Sequence, residues 1–176
     1  MTARGAVWEQ VCTEALNWQA ARGSLYWLRT GAEVRQIGDS DEAGAFKAAR
    51  VKAGPPDFFV MSAGLAILGD FKETRKAVWP FANLEEHQAK ALDAHQRQGG
   101  VSVLLLRFLP ATGRPATFVV LWRRLGPLWW RWHQGSAARG DGSLSREVAA
   151  EVGVAYEGMD WLTSLRAHLA RAETTC

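Results

Sequence analysis

Asp57, Asp70 and Lys72 are the residues whose types and spacing can do chemistry. Between the two acids lie Phe58-Phe59-Val60-Met61-Ser62 and Leu65-Ala66-Ile67-Leu68-Gly69, two apolar runs joined by Ala63-Gly64, which reads as a short hairpin. If Ser62 pairs with Leu65, the same register sets Asp57 opposite Asp70, with Cβ atoms roughly 5 Å apart. Lys72, two residues on, shares the face of Asp70. Two carboxylates this close repel unless a positive charge lies between them, and a hard divalent cation such as magnesium takes oxygen ligands. Held by one or two carboxylates, such an ion keeps several waters and lowers the pKa of an attacking one. Lys72 would orient that water or stabilise the charge that develops on phosphorus. The pattern is that of metal-dependent phosphodiester hydrolysis. A plainer alternative makes Asp57 a turn residue after Pro56 and Asp70 with Lys72 a solvated strand-end pair, because carboxylate-x-lysine is a weak motif by itself.

The elements that must position these residues follow from periodicity. Strands are expected at about 25–29, 57–62, 65–72, 101–108 and 117–123, and helices near 6–21, 83–98, 145–151 and 159–172, an α/β order that fits a mixed sheet flanked by helices. For the helix over 83–98, Asn83 is the expected cap, Glu86 completes a capping box and Gly99-Gly100 supplies the stop. Leu84, Ala91, Leu92 and His95 make its inward stripe, and Gln88 falls on the same stripe. A polar amide there needs a partner: a metal-bound water or substrate phosphate on one reading, a backbone carbonyl on the other. His87 reads as a helix-surface or phosphate-contacting residue. In the first helix Trp8, Val11, Cys12, Ala15 and Leu16 form an apolar face that Glu9 borders. Glu9 either points toward the hairpin as another acid or lies solvated on the helix surface.

Taken together, Arg4-Gly5 with Glu9, Pro56-Asp57, Asp70-Phe71-Lys72-Glu73-Thr74, and Phe81-Ala82-Asn83-Leu84-Glu85-Glu86-His87-Gln88 followed by Gly99-Gly100 and a strand from Val101 to Phe108 resemble the RecU family of Holliday-junction resolvases. The likeness continues weakly through Ser143-Leu144-Ser145-Arg146-Glu147 to Met159-Asp160-Trp161-Leu162. It implies a restriction-endonuclease-like core, a symmetric homodimer and magnesium-dependent nicking of a four-way DNA junction, with manganese able to substitute and a recombinase as a further partner. Carried over by position, Asp57 and Asp70 are the implied metal ligands, Lys72 the catalytic lysine, Gln88 the helix residue supporting the site and Glu9 the acid of the first helix. Glu73 and Thr74 belong to the same motif. The family usually places glutamate before the lysine, where this chain has the shorter Asp70. The segment from Gln36 to Pro55 corresponds to the basic stalk such proteins project into the junction. It is short here and carries its basic residues, Lys47, Arg50 and Lys52, in its second half, which keeps the archaeal-type junction resolvases a near neighbour. The expected DNA contacts are Arg4, Lys47, Arg50, Lys52, Thr74, Arg75, Lys76 and His87.

Composition sets the outer limits. At 176 residues the chain suits one nuclease domain over 1–176, and no stretch marks a linker. A net charge of +3 permits a nucleic-acid partner without requiring one, but Arg22, Arg29, Arg35, Arg50, Lys52, Lys72, Arg75 and Lys76 cluster near the proposed site. Cys12 and Cys176 are too far apart in sequence to make a disulfide framework, and the four histidines lack zinc-ligand spacing. With no signal-peptide pattern and no membrane-length apolar run, a cytoplasmic protein is expected. Residues 135–142 read as a surface loop. Nine tryptophans are many, and Trp122, Trp129, Trp130 and Trp132 are expected in the core or a dimer interface rather than stacked on bases. Two other functions remain open: a related nuclease acting on duplex or flap DNA, and a junction-binding recombination factor without catalysis.

Overall fold

Strands buried on both faces are written as continuous apolar runs, and Val101–Phe108 is such a run. In the computed structural model, which describes residues 5–30, 34–37, 47–50, 54–136, 138, 141–158 and 160–173, this strand lies inside a six-stranded sheet. The chain order begins with helix α1 (Gly5–Ala21) and strands β1 (Tyr26–Arg29), β2 (Val34–Ile37), β3 (Lys47–Arg50), β4 (Phe58–Ser62), β5 (Leu65–Thr74) and β6 (Val78–Pro80). There follow α2 (Glu86–Arg97), β7 (Val101–Phe108), β8 (Ala116–Leu121), α3 (Trp122–His133), β9 (Ser143–Ser145), α4 (Arg146–Val152), β10 (Gly153–Tyr156) and α5 (Trp161–Glu173). The main sheet has the order β1-β4-β5-β7-β8-β10, while β2 pairs with β3 and β6 with β9. Only β5 and β7 run parallel in it, because α2 is the crossover that returns the chain to the same end.

The two sheet faces carry separate cores. Phe58, Val60, Ile67, Phe71, Val103 and Leu105 pack against Trp8, Cys12 and Leu16 of α1 and Trp161 and Leu165 of α5. On the other face Leu104, Leu106, Phe118 and Val120 meet Ala89 and Leu92 of α2 and Trp122, Leu125 and Trp129 of α3. This is the mixed α/β sheet flanked by helices that the periodicity predicts. Among the described residues no helix is long and apolar enough to cross a membrane.

The β4–β5 hairpin has the predicted register, from Ser62 opposite Leu65 to Phe58 opposite Gly69. Ala63 and Gly64 turn it with φ of 46° and 81°, the left-handed pair of a tight hairpin turn. Gly69 is required by packing: a Cβ there would lie 2.1 Å from the Phe58 ring, which is fully buried and stacked on Phe71 at 4.7 Å.

Several elements differ from the sequence expectations. The strand expected to 123 stops at Leu121, and Trp122 opens a helix through His133 that periodicity did not predict. Gly126-Pro127 reads locally as a breaker, yet Gly126 lets the Trp122 indole pack over it. Pro127 gives up only the bond to the Arg123 carbonyl, and both residues are solvent-exposed. The tryptophans of this helix are packing residues: Trp122 and Trp129 are buried, and the indole N–H groups of Trp122 and Trp130 both donate to the Asp93 carboxylate at 2.6 Å. The expected Asn83 cap with Glu86 is replaced by Glu85 with Gln88, because Phe81–Asn83 forms a 3₁₀ turn that delays the helix. The short strands β2, β3, β6, β9 and β10 have too little periodicity to be read from sequence.

Candidate active site

Continuing the hairpin register one pair beyond Phe58 and Gly69 sets Asp57, in the bend before β4, across from Asp70. Asp70 is wholly enclosed. Its Oδ1 lies 2.7 Å from Lys72 Nζ, and its Oδ2 accepts a hydrogen bond from Gln88 Nε2 at 2.5 Å. Gln88 Oε1 in turn accepts from Lys72 Nζ at 3.3 Å and from the Glu85 backbone N–H at 3.2 Å. The glutamine's partners are thus the acid and the lysine of β5 together with a backbone donor, and no carbonyl. Its place at the third position of α2 explains this, since a capping-box side chain reaches back over the helix start, and the start of α2 faces β5.

Asp57 is held differently. Its Oδ2 accepts from the Phe71 N–H at 2.9 Å, and its backbone carbonyl accepts from the Thr30 N–H at 3.0 Å. Burial, then the neighbouring Asp70 charge, push the Asp57 carboxyl up to about 7, while the Phe71 amide pulls the other way. A cation between the two acids would reverse that push. The donor set fits a hard divalent ion in two respects. Two carboxylates face each other across one strand pair, and the enclosed Asp70 Oδ1 has the ammonium beside it as a charge partner but no hydrogen bond of its own. Among the described residues no third His, Cys, Asp or Glu side chain completes a metal-holding cluster with them.

The remaining candidates are dispersed. Glu9 is ion-paired with Arg29 at the end of β1. Glu73 sits on the opposite sheet face from Asp70, 3.7 Å from Arg107, whose guanidinium lies over the Trp8 ring. Thr74 is buried and ties the β5–β6 turn, donating to the Val78 carbonyl at 3.1 Å and accepting from the Lys76 N–H at 3.2 Å. Arg75 and Lys76 are exposed in that turn, directly after the Asp70-Lys72 stretch. His87 Nδ1 lies 3.2 Å from Glu85 Oε2. Lys47 and Arg50 belong to β3, where only the backbone is described. Arg4, Lys52 and much of the segment 36–55 lie outside the described residues.

Residues 4–151 match the family RecU, Recombination protein U. The chain belongs to the RecU family. RecU proteins resolve Holliday junctions, so this member is an endonuclease of DNA recombination that acts on junction DNA. Metal ions serve RecU-type resolvases in general. No curated protein sequence matches the chain. Among solved structures it is similar to Hjc of Archaeoglobus fulgidus, a Holliday junction resolvase from an archaeal hyperthermophile, with 10% identity, 80% of this chain and 90% of that chain covered, and a TM-score of 0.39.

Three contributors to the candidate site have no such role in the sequence expectations: Arg29 as the Glu9 partner, Thr30 as the support of Asp57, and Glu85 as the helix cap. Arg29 stood out as part of a basic cluster. Glu85 stands in the family-like motif but not as the expected cap, and Thr30 carries no signal, because both roles depend on where a strand end and a helix end dock.

Proposed function

We propose that the protein resolves four-way junctions by magnesium-dependent hydrolysis of one phosphodiester in each of two strands, with Asp57 and Asp70 as metal ligands and Lys72 as the catalytic lysine. The observation that carries this reading is the contact of Asp70 with both Lys72 and Gln88 on the strand face that also meets Asp57. When bound there, a divalent cation supplies Lewis acidity at the scissile phosphate and acidifies the attacking water.

The chain's own residues do the rest. Lys72 has three N–H donors, and its ion pair with Asp70 and hydrogen bond to Gln88 leave donor capacity for a phosphate oxygen or the incoming water. Gln88 fixes the lysine head from one end of its amide and Asp70 from the other, so neither group has to reorganise as charge develops. Arg75 and Lys76, in the turn after β5, contact the backbone phosphates flanking the cut, and His87 on α2 is a further phosphate contact in this reading. Glu9 acts through Arg29 rather than as a ligand. Two copies related by a twofold axis present two such sites to the two strands cut, and the segment 36–55, with Arg4, Lys47, Arg50 and Lys52, contacts the junction. The reaction belongs in the cytoplasm, with a recombinase as the supplier of junctions.

The test is cleavage of a labelled four-way junction in magnesium by the wild type, Asp57→Asn and Lys72→Ala. Both variants are expected to cut at least a hundredfold more slowly. Undiminished cutting by both would remove the assignment, and equal cutting of linear duplex at matched salt would shift the substrate.

A further inference from the structure

The geometry points to Thr30 as a positioning residue that holds the Pro56–Asp57 peptide, and through it the Asp57 carboxylate, opposite Asp70. This rests on the reading of Asp57 as a metal ligand given above. Asp57 lies outside the strand ladder: β4 begins at Phe58, which pairs with Arg29 on one side and Gly69 on the other. The sheet therefore does not fix it. Its carboxylate takes a backbone hydrogen bond from the Phe71 N–H, but the strand pairing that begins at Phe58 does not hold the peptide before it.

Thr30 supplies the missing restraint with two donors. Its N–H reaches the Asp57 carbonyl at 3.0 Å, and its hydroxyl donates to the carbonyl of Pro56. Pro56 has no N–H, so its buried backbone can be tied only through that carbonyl. Two consecutive carbonyls gripped by one residue fix the peptide plane between them, and that plane sets the direction in which the Asp57 side chain leaves the chain. Thr30 is itself anchored, because Arg29 before it is paired with Phe58 in the ladder and with Glu9 of α1. The β1 end thus connects α1 to the acid across the sheet edge.

The experiment compares Thr30→Val, which keeps the shape and loses the hydroxyl, with Thr30→Ser, which keeps the donor. Manganese binding to the DNA-free protein is followed by electron paramagnetic resonance, and the Phe71 amide proton by NMR in metal-free protein. Thr30→Val should bind manganese three- to tenfold more weakly, the scale of one lost hydrogen bond, with the Phe71 amide shifted upfield and Thr30→Ser near wild type. Wild-type manganese binding and an unmoved Phe71 amide in Thr30→Val would overturn the inference, as would equal impairment of Thr30→Ser. Thr30→Ala replaces the valine variant if that fails to fold. A wild type that binds manganese yet leaves junctions uncut refutes the proposed function alone and keeps the Thr30 comparison decisive. A wild type that binds no manganese refutes both.

Discussion

Gln88 joins the acid and the lysine of β5 in one amide, its Nε2 2.5 Å from Asp70 Oδ2 and its Oε1 3.3 Å from Lys72 Nζ. The same oxygen accepts the Glu85 N–H, so the start of α2 and the candidate site share one side chain. Removing the amide should therefore cost both activity and stability. Gln88→Ala is expected to slow junction cleavage about 10–100-fold, the usual effect of losing an outer support of a metal site. It should also destabilise the protein by about 1 kcal/mol through the lost cap, read by denaturant unfolding. A rate loss with unchanged stability would argue against the shared role.

Lys72 is the charge partner of a wholly enclosed carboxylate. Lys72→Met should abolish cleavage while leaving junction affinity in the absence of metal within a few-fold, measured by electrophoretic mobility shift. It should also lower stability at pH 8, because a buried partner left uncompensated costs on the order of 3 kcal/mol. Added magnesium is expected to restore part of that loss by mass action on the folded state.

Asp57 gives the molecule a pH dependence with a definite sign. Its carboxyl titrates near 3.8 in the unfolded chain and near 7 in the folded one. Below about pH 4 both states hold the proton and there is no effect; between 4 and 7 the folded state keeps a proton that the unfolded state has lost. Stability from this group therefore falls as pH rises through that window and is flat above it. Metal-free wild type should lose more thermal stability between pH 5 and pH 8 than Asp57→Asn, by differential scanning calorimetry. Because a bound cation must displace that proton, apparent magnesium affinity should rise with pH up to about 7 and then level off.

Gly69 leaves no room for a methyl group beneath the Phe58 ring. Gly69→Ala should destabilise the protein by about 1–3 kcal/mol, the cost of overpacking a buried site, in thermal melts. Since Gly69 adjoins Asp70 and pairs with the residue after Asp57, cleavage should fall as well. A variant as stable as wild type would mean that Phe58 moves aside.

The sequence by itself determined the acids, the lysine, the hairpin register and most of the sheet. These are local properties: alternation, an Ala-Gly turn and a two-residue offset put Asp70 and Lys72 on one face of β5 and lead the chain before β4 to the same end, where the remote Thr30 then holds the Asp57 backbone. It also put Gln88 on the inward stripe of α2 but left two partners open. Only the packing of α2 beside β5 chose between them, because a capping side chain reaches wherever its helix start is docked. The tertiary structure alone decided that Glu9 meets Arg29, that Thr30 grips Pro56 and Asp57, and that Asp93 receives two indoles. It also decided that Trp122 to His133 is helical, where Gly126-Pro127 argues locally for a break and the burial of Trp122, Leu125 and Trp129 outweighs it. Each of these contacts joins elements remote in sequence or sets packing against local preference, which no short-range pattern encodes.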